Sequence, residues 1–198
     1  PRDLASQAEL ERLGYRSVSE MLAERFHMDE QFLLALNPGA DFSRAGSEIY
    51  VTNPRRPAIL RQVARIEVDA GEHAVRAYAE DGSLLAFYPA TIGSIENPSP
   101  TGRMTVNGVA PAPTYTYDPR RVDYAGDSIT ERLLIAAGPN NPVGTTWIDL
   151  SEDTYGIHGT PNPDIVGKNA SNGCVRLTNW DVQHLAAAVR PGVRVAFV

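Results

Sequence analysis

The chain has 198 residues, a formal charge of −6 and 42% apolar residues. This length and apolar content predict a globular protein, either one domain or a medium domain with a small module, and exclude intrinsic disorder as its main state. Because basic residues are interspersed with acidic ones and no apolar run approaches the roughly 18 residues of a membrane span, neither nucleic-acid binding nor a transmembrane segment is predicted. The single cysteine excludes an intrachain disulfide.

The hydrophobic periodicity divides the chain into four segments. We interpret residues 1–14 as a leader segment and residues 15–53 as a small helical module. Residues 54–60 contain two prolines and two arginines, which is typical of a linker. From residue 61 to 198 the period shifts toward two, which indicates a domain built mainly of strands.

Within the small module, capping patterns predict two helices. Ser17 followed by Glu20 forms a capping box ahead of "SVSEMLAERF", and Asp29 can begin the second helix, "EQFLLAL". The segment "EIYV" at residues 48–51 predicts a short strand. So small a unit buries little area by itself.

The larger domain is predicted to contain many short strands and one late helix. Thr178 and Asp181 form a second capping pair, which would begin that helix. The fold class is therefore α+β and mainly β, with a sandwich or barrel-like arrangement of strands. The predicted strands cover residues 64–69, 73–79, 84–92, 102–106, 145–150, 155–159, 174–177 and 193–198.

Two short motifs in this domain contain candidate catalytic residues, "YGIHGT" around His158 and "SNGCVR" around Cys174. If their strands are neighbours, the imidazole can take the proton of the thiol, which acts as a nucleophile only once deprotonated. Backbone N–H groups of Gly173 and Cys174 could then form an oxyanion hole, and Arg176, on the same strand face as Cys174, could hold a carboxylate. A lone cysteine is also typical of a hydrophobic core, and no cluster here resembles a zinc site.

The stretch "HGTPNPDIVGKNASNGCVRL" resembles the signature of L,D-transpeptidase catalytic domains of the YkuD type, in proteins such as ErfK and YbiS. The resemblance covers about residues 61 to 198. Asn172 departs from it, because many relatives have a second histidine there. The matching positions are His158, Gly159, Thr160, Gly167, Ser171, Gly173, Cys174, Val175 and Arg176. The segment before residue 54 resembles a LysM domain, a small βααβ module that binds glycans.

The resemblance implies a YkuD-type β-sandwich with one late helix, and a cysteine-dependent acyl transfer without cofactor or metal. Cys174 would be the nucleophile and His158 the base, oriented by the backbone carbonyl of Gly159, while Gly173 and Cys174 supply the oxyanion hole. The substrate-binding residues that it implies are Arg176, Ser171, Asn172 and Thr160.

The implied partners are the stem peptides and glycan strands of peptidoglycan. The acyl acceptor can be a diaminopimelate amine of a second stem, the lysine of an outer-membrane lipoprotein or a D-amino acid. Two alternatives stay open, an L,D-carboxypeptidase or related hydrolase that uses water, and a non-catalytic glycan-binding protein. The substrate implies the periplasm or cell envelope, so we expect a secreted protein, although the sequence itself contains no signal peptide. We also interpret residues 108–127, which are rich in tyrosine and proline, as a lid over the acceptor pocket.

Overall fold

The computed structural model describes residues 1, 3–54, 56–93, 101–120, 129–168 and 173–198. It divides into two compact units, one made of Pro1–Gly14 together with Ile59–Val198, the other of Tyr15–Ala58. The helices are α1 Leu4–Ala8, α2 Val18–Arg25, α3 Glu30–Leu36 and α4 Asn179–Ala186, and a 3-10 turn covers Pro163–Ile165. The strands are β1 Arg65–Asp69, β2 Ala74–Tyr78, β3 Leu84–Pro89, β4 Thr91–Ile92, β5 Gly102–Pro111, β6 Tyr115–Tyr117, β7 Leu133–Ile135, β8 Thr146–Leu150, β9 Gly156–His158, β10 Val175–Arg176 and β11 Arg194–Phe197.

The smaller unit contains the two predicted helices. The side chain of Ser17 accepts the backbone N–H of Glu20, and that of Asp29 accepts the N–H of Phe32, so both helices begin where the capping patterns predict. Leu33 is completely buried at the centre of the unit.

The strand predicted at residues 48–51 is absent from this unit, whose described residues form helices and irregular structure. The side chain of Asn37 replaces a neighbouring strand. Its Oδ1 accepts the N–H of Tyr50 at 2.6 Å, and its Nδ2 donates to the carbonyl of Tyr50 at 2.8 Å. Because a side-chain amide already satisfies these backbone groups, no ladder partner is needed. The predicted βααβ order is therefore wrong for this unit, although its two helices are confirmed.

The larger unit is mainly β, and nine of its described strands form one sheet. Their order is β3-β2-β1-β11-β5-β8-β9-β10-β4. The ten-residue β5 joins the two halves of this sheet, since it pairs with β11 along one part of its length and with β8 along the other. Its register with β8 shifts between Val106 and Gly108. The edge strands β3 and β4 are separated only by Ala90, so the sheet is nearly closed. The mainly β architecture with few helices is therefore confirmed, and the sheet bends at the bulge in β5, where twist and direction change.

The core of the larger unit fills the inner face of this sheet. Alternate residues of β8 are buried, and α4 contributes Val182 and Leu185, both with no exposed surface. Helix α4 begins as predicted, because the hydroxyl of Thr178 accepts the N–H of Asp181. With one face of β8, β9 and β10 buried in the core, side chains of the other face are left to build a site.

Candidate active site

The outer face of three adjacent strands presents the polar residues of the predicted site. In β9, Ile157 points into the core, so His158 points to the opposite face. In β10, Val175 is buried in the same core, which places Cys174 and Arg176 on the face of His158. The register sets His158 beside Arg176 on one side and beside Trp147 of β8 on the other.

These side chains line one cavity of about 570 Å³. Its walls include Cys174, His158, Arg176 and Thr160, together with Trp147 and Tyr155. The structure thus places four of the predicted site residues around a single concave space, which is the common form of a small-molecule site.

The ring of His158 is held in one orientation. Its Nδ1 lies 2.6 Å from the carbonyl oxygen of Gly159, so Nδ1–H donates and Nε2 keeps its lone pair. The indole of Trp147 stacks on the imidazole, with ring centroids 5.4 Å apart and planes at 17°. The side chain is almost fully buried. A buried and oriented imidazole with a lone pair on Nε2 is suited to act as a base.

Burial also sets the protonation state of this ring. It lowers the pKa of His158 to about 4, because desolvation penalises the imidazolium, and the nearby charge of Arg176 lowers the pKa further. The hydrogen bond to Gly159 opposes these effects. His158 is therefore neutral at pH 7 and able to accept a proton.

This shift predicts a pH dependence of stability. Between pH 6.5 and about 4, the unfolded chain binds a proton at His158 that the folded chain excludes, so the free energy of unfolding falls as the pH falls. The expected loss is ~3 kcal/mol. Urea unfolding of the protein and of His158→Gln at pH 7 and pH 4.5 measures it. An equal loss in both proteins would contradict the assignment.

The thiol of Cys174 is half-buried and lies 3.6 Å from the carbonyl oxygen of Thr154, to which it donates. Burial raises the pKa of Cys174, and a backbone hydrogen bond at Gly156 and the charge of Arg176 only partly offset this. The resting site therefore holds a neutral thiol and a neutral imidazole, and proton transfer has to accompany attack.

The absence of a side chain at Gly156 creates space for Trp147. A Cβ atom at this position would lie 2.4 Å from Cζ2 of the indole. Since Trp147 stacks on His158, Gly156 indirectly positions the imidazole. The indole is further fixed by its Nε1, which donates to Asp149 at 3.1 Å.

Comparison with known proteins identifies the family of this chain. The family model of the YkuD-type L,D-transpeptidase catalytic domain matches residues 63–196. YkuD from Bacillus licheniformis is 32% identical over 179 residues, which are 89% of this chain and 91% of that protein. The chain belongs to the YkuD family of L,D-transpeptidases. It is thus an enzyme of an acyltransferase family.

Other similar proteins extend this comparison. ErfK/SrfK from Escherichia coli is 31% identical over 182 residues, and the match covers 90% of this chain but 58% of that protein. The structure of L,D-transpeptidase 3 from Mycobacterium tuberculosis, in complex with a faropenem-derived adduct, has a TM-score of 0.55 at 17% identity, covering 76% of this chain and 63% of that one. An L,D-transpeptidase from Mycobacterium smegmatis has a TM-score of 0.53 at 20% identity, covering 67% and 57%. These two structures share the fold.

The remaining predicted residues of this YkuD-family enzyme fall into two groups. Arg176 is half-exposed in the cavity, and among the described residues no carboxylate forms a salt bridge with it. Thr160 is buried, and its hydroxyl accepts the N–H of Asn162 at 3.3 Å. Ser171 and Asn172 lie outside the described residues, so their predicted roles stay predictions.

The lid hypothesis is also only partly covered by the described residues. Residues 108–111 belong to β5, and Tyr115 and Thr116 of β6 line the cavity. Residues 121–128 lie outside the described part of the chain. The lid therefore stays a prediction.

Two contributors to the site were not predicted from the sequence. Thr154, whose carbonyl accepts the thiol, has φ +71, a conformation that β-branched residues rarely adopt. Asn179, at the start of α4, accepts the N–H of Thr145 and donates to the carbonyl of Pro139, fixing the segment that borders the cavity. The segment "SEDTYG" does not predict a positive φ at Thr154, because the residues that usually adopt a positive φ in turns are glycine and asparagine.

In the part of the chain that the structure describes, no three His, Cys, Asp or Glu side chains are grouped to hold a metal ion. None of the helices described there is long and apolar enough to cross a bilayer.

Proposed function

We propose that this enzyme transfers the acyl group of a peptidoglycan stem tetrapeptide to an amine, with Cys174 as nucleophile and His158 as base. The observation that carries the proposal is the shared cavity, in which the only cysteine of the chain lies on the same sheet face as a neutral, oriented imidazole. A nucleophile and a base on adjacent strands are what acyl transfer requires.

The first half-reaction forms a thioester. Sγ of Cys174 attacks the carbonyl carbon of the third stem residue while Nε2 of His158 takes the thiol proton. When the tetrahedral intermediate collapses, the C–N bond breaks and the imidazolium returns this proton to the leaving D-alanine amine. The carbonyl of Gly159 keeps Nδ1–H pointed away from the reaction and stabilises the imidazolium that forms.

Charge developing on the substrate needs further partners. We assign the backbone N–H groups of Gly173 and Cys174 to the oxyanion, because Gly173 is buried directly before the nucleophile with φ +107, and a Cβ added to it would lie 3.2 Å from the ring of Tyr155, which lines the cavity. Arg176 provides a guanidinium for a substrate carboxylate, as it has no described acidic partner. Thr160 contributes cavity wall beside His158.

The second half-reaction decides the product. An amine attacks the thioester carbonyl, loses a proton to His158 and frees the thiol. A diaminopimelate side chain gives a 3→3 cross-link, a lipoprotein lysine gives protein attachment, and a D-amino acid gives exchange. Water in the same position would give the carboxypeptidase reaction.

Product analysis tests this proposal. The enzyme is incubated with disaccharide tetrapeptide beside Cys174→Ala and Arg176→Gln, and products are identified by liquid chromatography and mass spectrometry. A cross-linked dimer that has lost one D-alanine, absent with Cys174→Ala and reduced with Arg176→Gln, is expected. Tripeptide alone would replace transpeptidation by hydrolysis, and identical products with Cys174→Ala would overturn the role of the thiol.

Because the proposed substrate is peptidoglycan, we assign the enzyme to the cell envelope or periplasm. For the same reason we assign glycan binding to the smaller unit. Within this unit Tyr50 is 76% exposed and Phe32 53% exposed. An exposed tyrosine combines an apolar ring with a polar hydroxyl, a chemistry that suits contact with a sugar. Calorimetric titration of the enzyme with N-acetylglucosamine oligomers is expected to show binding that Tyr50→Ala weakens. Absence of binding to the unaltered enzyme would rule out a LysM-like role.

A further inference from the structure

The first 14 residues of the chain, here called the N-terminal arm (Pro1–Gly14), are part of the larger unit. Helix α1 of the arm packs beside β7. The end of the arm is hydrogen-bonded to the segment after β7. Leu13 donates its N–H to the carbonyl of Ala137 at 3.0 Å, and Asn140 donates to the carbonyls of Leu13 and Gly14 at 3.2 and 2.9 Å. These bonds fix the arm although the smaller unit follows it directly in sequence.

The arm reaches the reaction cavity. Leu4 and Gln7, one turn apart on α1, line the same cavity as Cys174 and His158. Leu4 offers apolar surface and Gln7 an amide, which can donate and accept hydrogen bonds. Apolar surface can contact the side chains of a bound peptide, and an amide can hydrogen-bond its backbone.

The carbonyl oxygen of the Gln7 side-chain amide makes no hydrogen bond to the described residues. Nε2 of the same side chain donates to the carbonyl of Pro1 at 3.2 Å, whereas Oε1 is buried and has no hydrogen-bond partner among the described residues. A buried acceptor without a partner is unfavourable, so such a group in a native protein calls for an explanation, and a role in ligand binding is one. Because Gln7 lines the cavity, a rotation of its side chain would turn Oε1 from its buried position toward a bound substrate.

We infer that the N-terminal arm is a substrate-binding wall of the active site, and that Oε1 of Gln7 accepts a hydrogen bond from an N–H group of the bound stem peptide. The class of substrate rests on the function proposed above. Both the acyl-donor stem and the acceptor stem carry N–H groups, and kinetics distinguish the two.

Binding to the unreactive Cys174→Ala protein tests this inference without any chemistry. Disaccharide tetrapeptide is titrated into Cys174→Ala alone and combined with Gln7→Met. The second substitution is expected to raise Kd about fivefold, the effect of one hydrogen bond. It should change Tm little, because it removes a buried acceptor that has no partner and only one exposed hydrogen bond, from Nε2 to the carbonyl of Pro1. Gln62→Met, at an exposed position of the larger unit ahead of β1, is the matched control and should leave Kd unchanged.

The outcomes separate this inference from the proposed function. An unchanged Kd in the Gln7→Met protein, or no peptide binding to Cys174→Ala, would overturn the role of the arm. A raised Kd together with an unaltered enzyme that forms no thioester would support the arm and refute the function. In the enzyme with Cys174 intact, slower acylation by Gln7→Met would assign Gln7 to the donor stem. A higher KM of Gln7→Met for the acceptor amine would assign Gln7 to the acceptor stem.

Discussion

Replacing His158 with glutamine is expected to slow acylation of Cys174 by about 10²- to 10⁴-fold, the usual contribution of a general base. The thiol is neutral at pH 7, since burial raises the pKa of Cys174, so attack depends on a base that removes its proton. Glutamine retains hydrogen-bonding capacity but cannot take up that proton. Single-turnover acylation, followed by rapid quench and intact-protein mass spectrometry, measures the effect.

The matched control is His73→Gln, at an exposed turn between β1 and β2. This variant should acylate at the normal rate. The pH profile adds a second criterion, because acylation by the unaltered enzyme should decline only as the pH approaches 4, where His158 becomes protonated. Acylation by His158→Gln within threefold of normal would show that another group deprotonates the thiol.

The second large effect is expected at Gly156, where an added methyl group would collide with Trp147. Its Cβ would lie 2.4 Å from Cζ2 of the indole, and overpacking of this kind costs ~1–3 kcal/mol of unfolding free energy. Because the indole stacks on His158, its displacement also moves the base. We expect Gly156→Ala to lower the acylation rate about 10²-fold, as a misplacement of about 1 Å can.

Two further variants make this prediction specific. Gly108→Ala is the control, since a Cβ at Gly108 would meet nothing within 4 Å and the position is also in the sheet. Combining Gly156→Ala with Trp147→Phe removes the colliding part of the indole and should restore most of the lost stability. If Gly156→Ala were as stable and active as Gly108→Ala, Trp147 would not position His158.

The sequence alone was sufficient to predict those features that depend on local pattern. Ser17, Asp29 and Thr178 begin helices because a side chain caps its own helix, and that interaction spans three residues. The common face of Cys174 and Arg176 follows from strand alternation. Their pairing with β9 required the assumption that the two strands are neighbours, which the register confirms.

Features that depend on partners distant in sequence could not be predicted. The bend of β5 arises because one strand pairs with both β11 and β8, and periodicity does not reveal a strand's partners. The N-terminal arm lacks a strong pattern of its own, and its position depends on contacts with Ala137 and Asn140. The prediction of a strand at residues 48–51 was wrong for a related reason. The side chain of Asn37, distant in sequence, bonds the N–H and carbonyl of Tyr50 in place of a partner strand.

Detection of a covalent thioester on Cys174 is the decisive experiment for the proposed acyl transfer. The enzyme is mixed with disaccharide tetrapeptide, quenched in acid within one turnover and examined by intact-protein mass spectrometry and peptide mapping. We expect an added mass equal to the tetrapeptide substrate less D-alanine, located on Cys174, released by hydroxylamine as a thioester and absent in Cys174→Ala. Product formation without any adduct, or with an adduct on another residue, would contradict it.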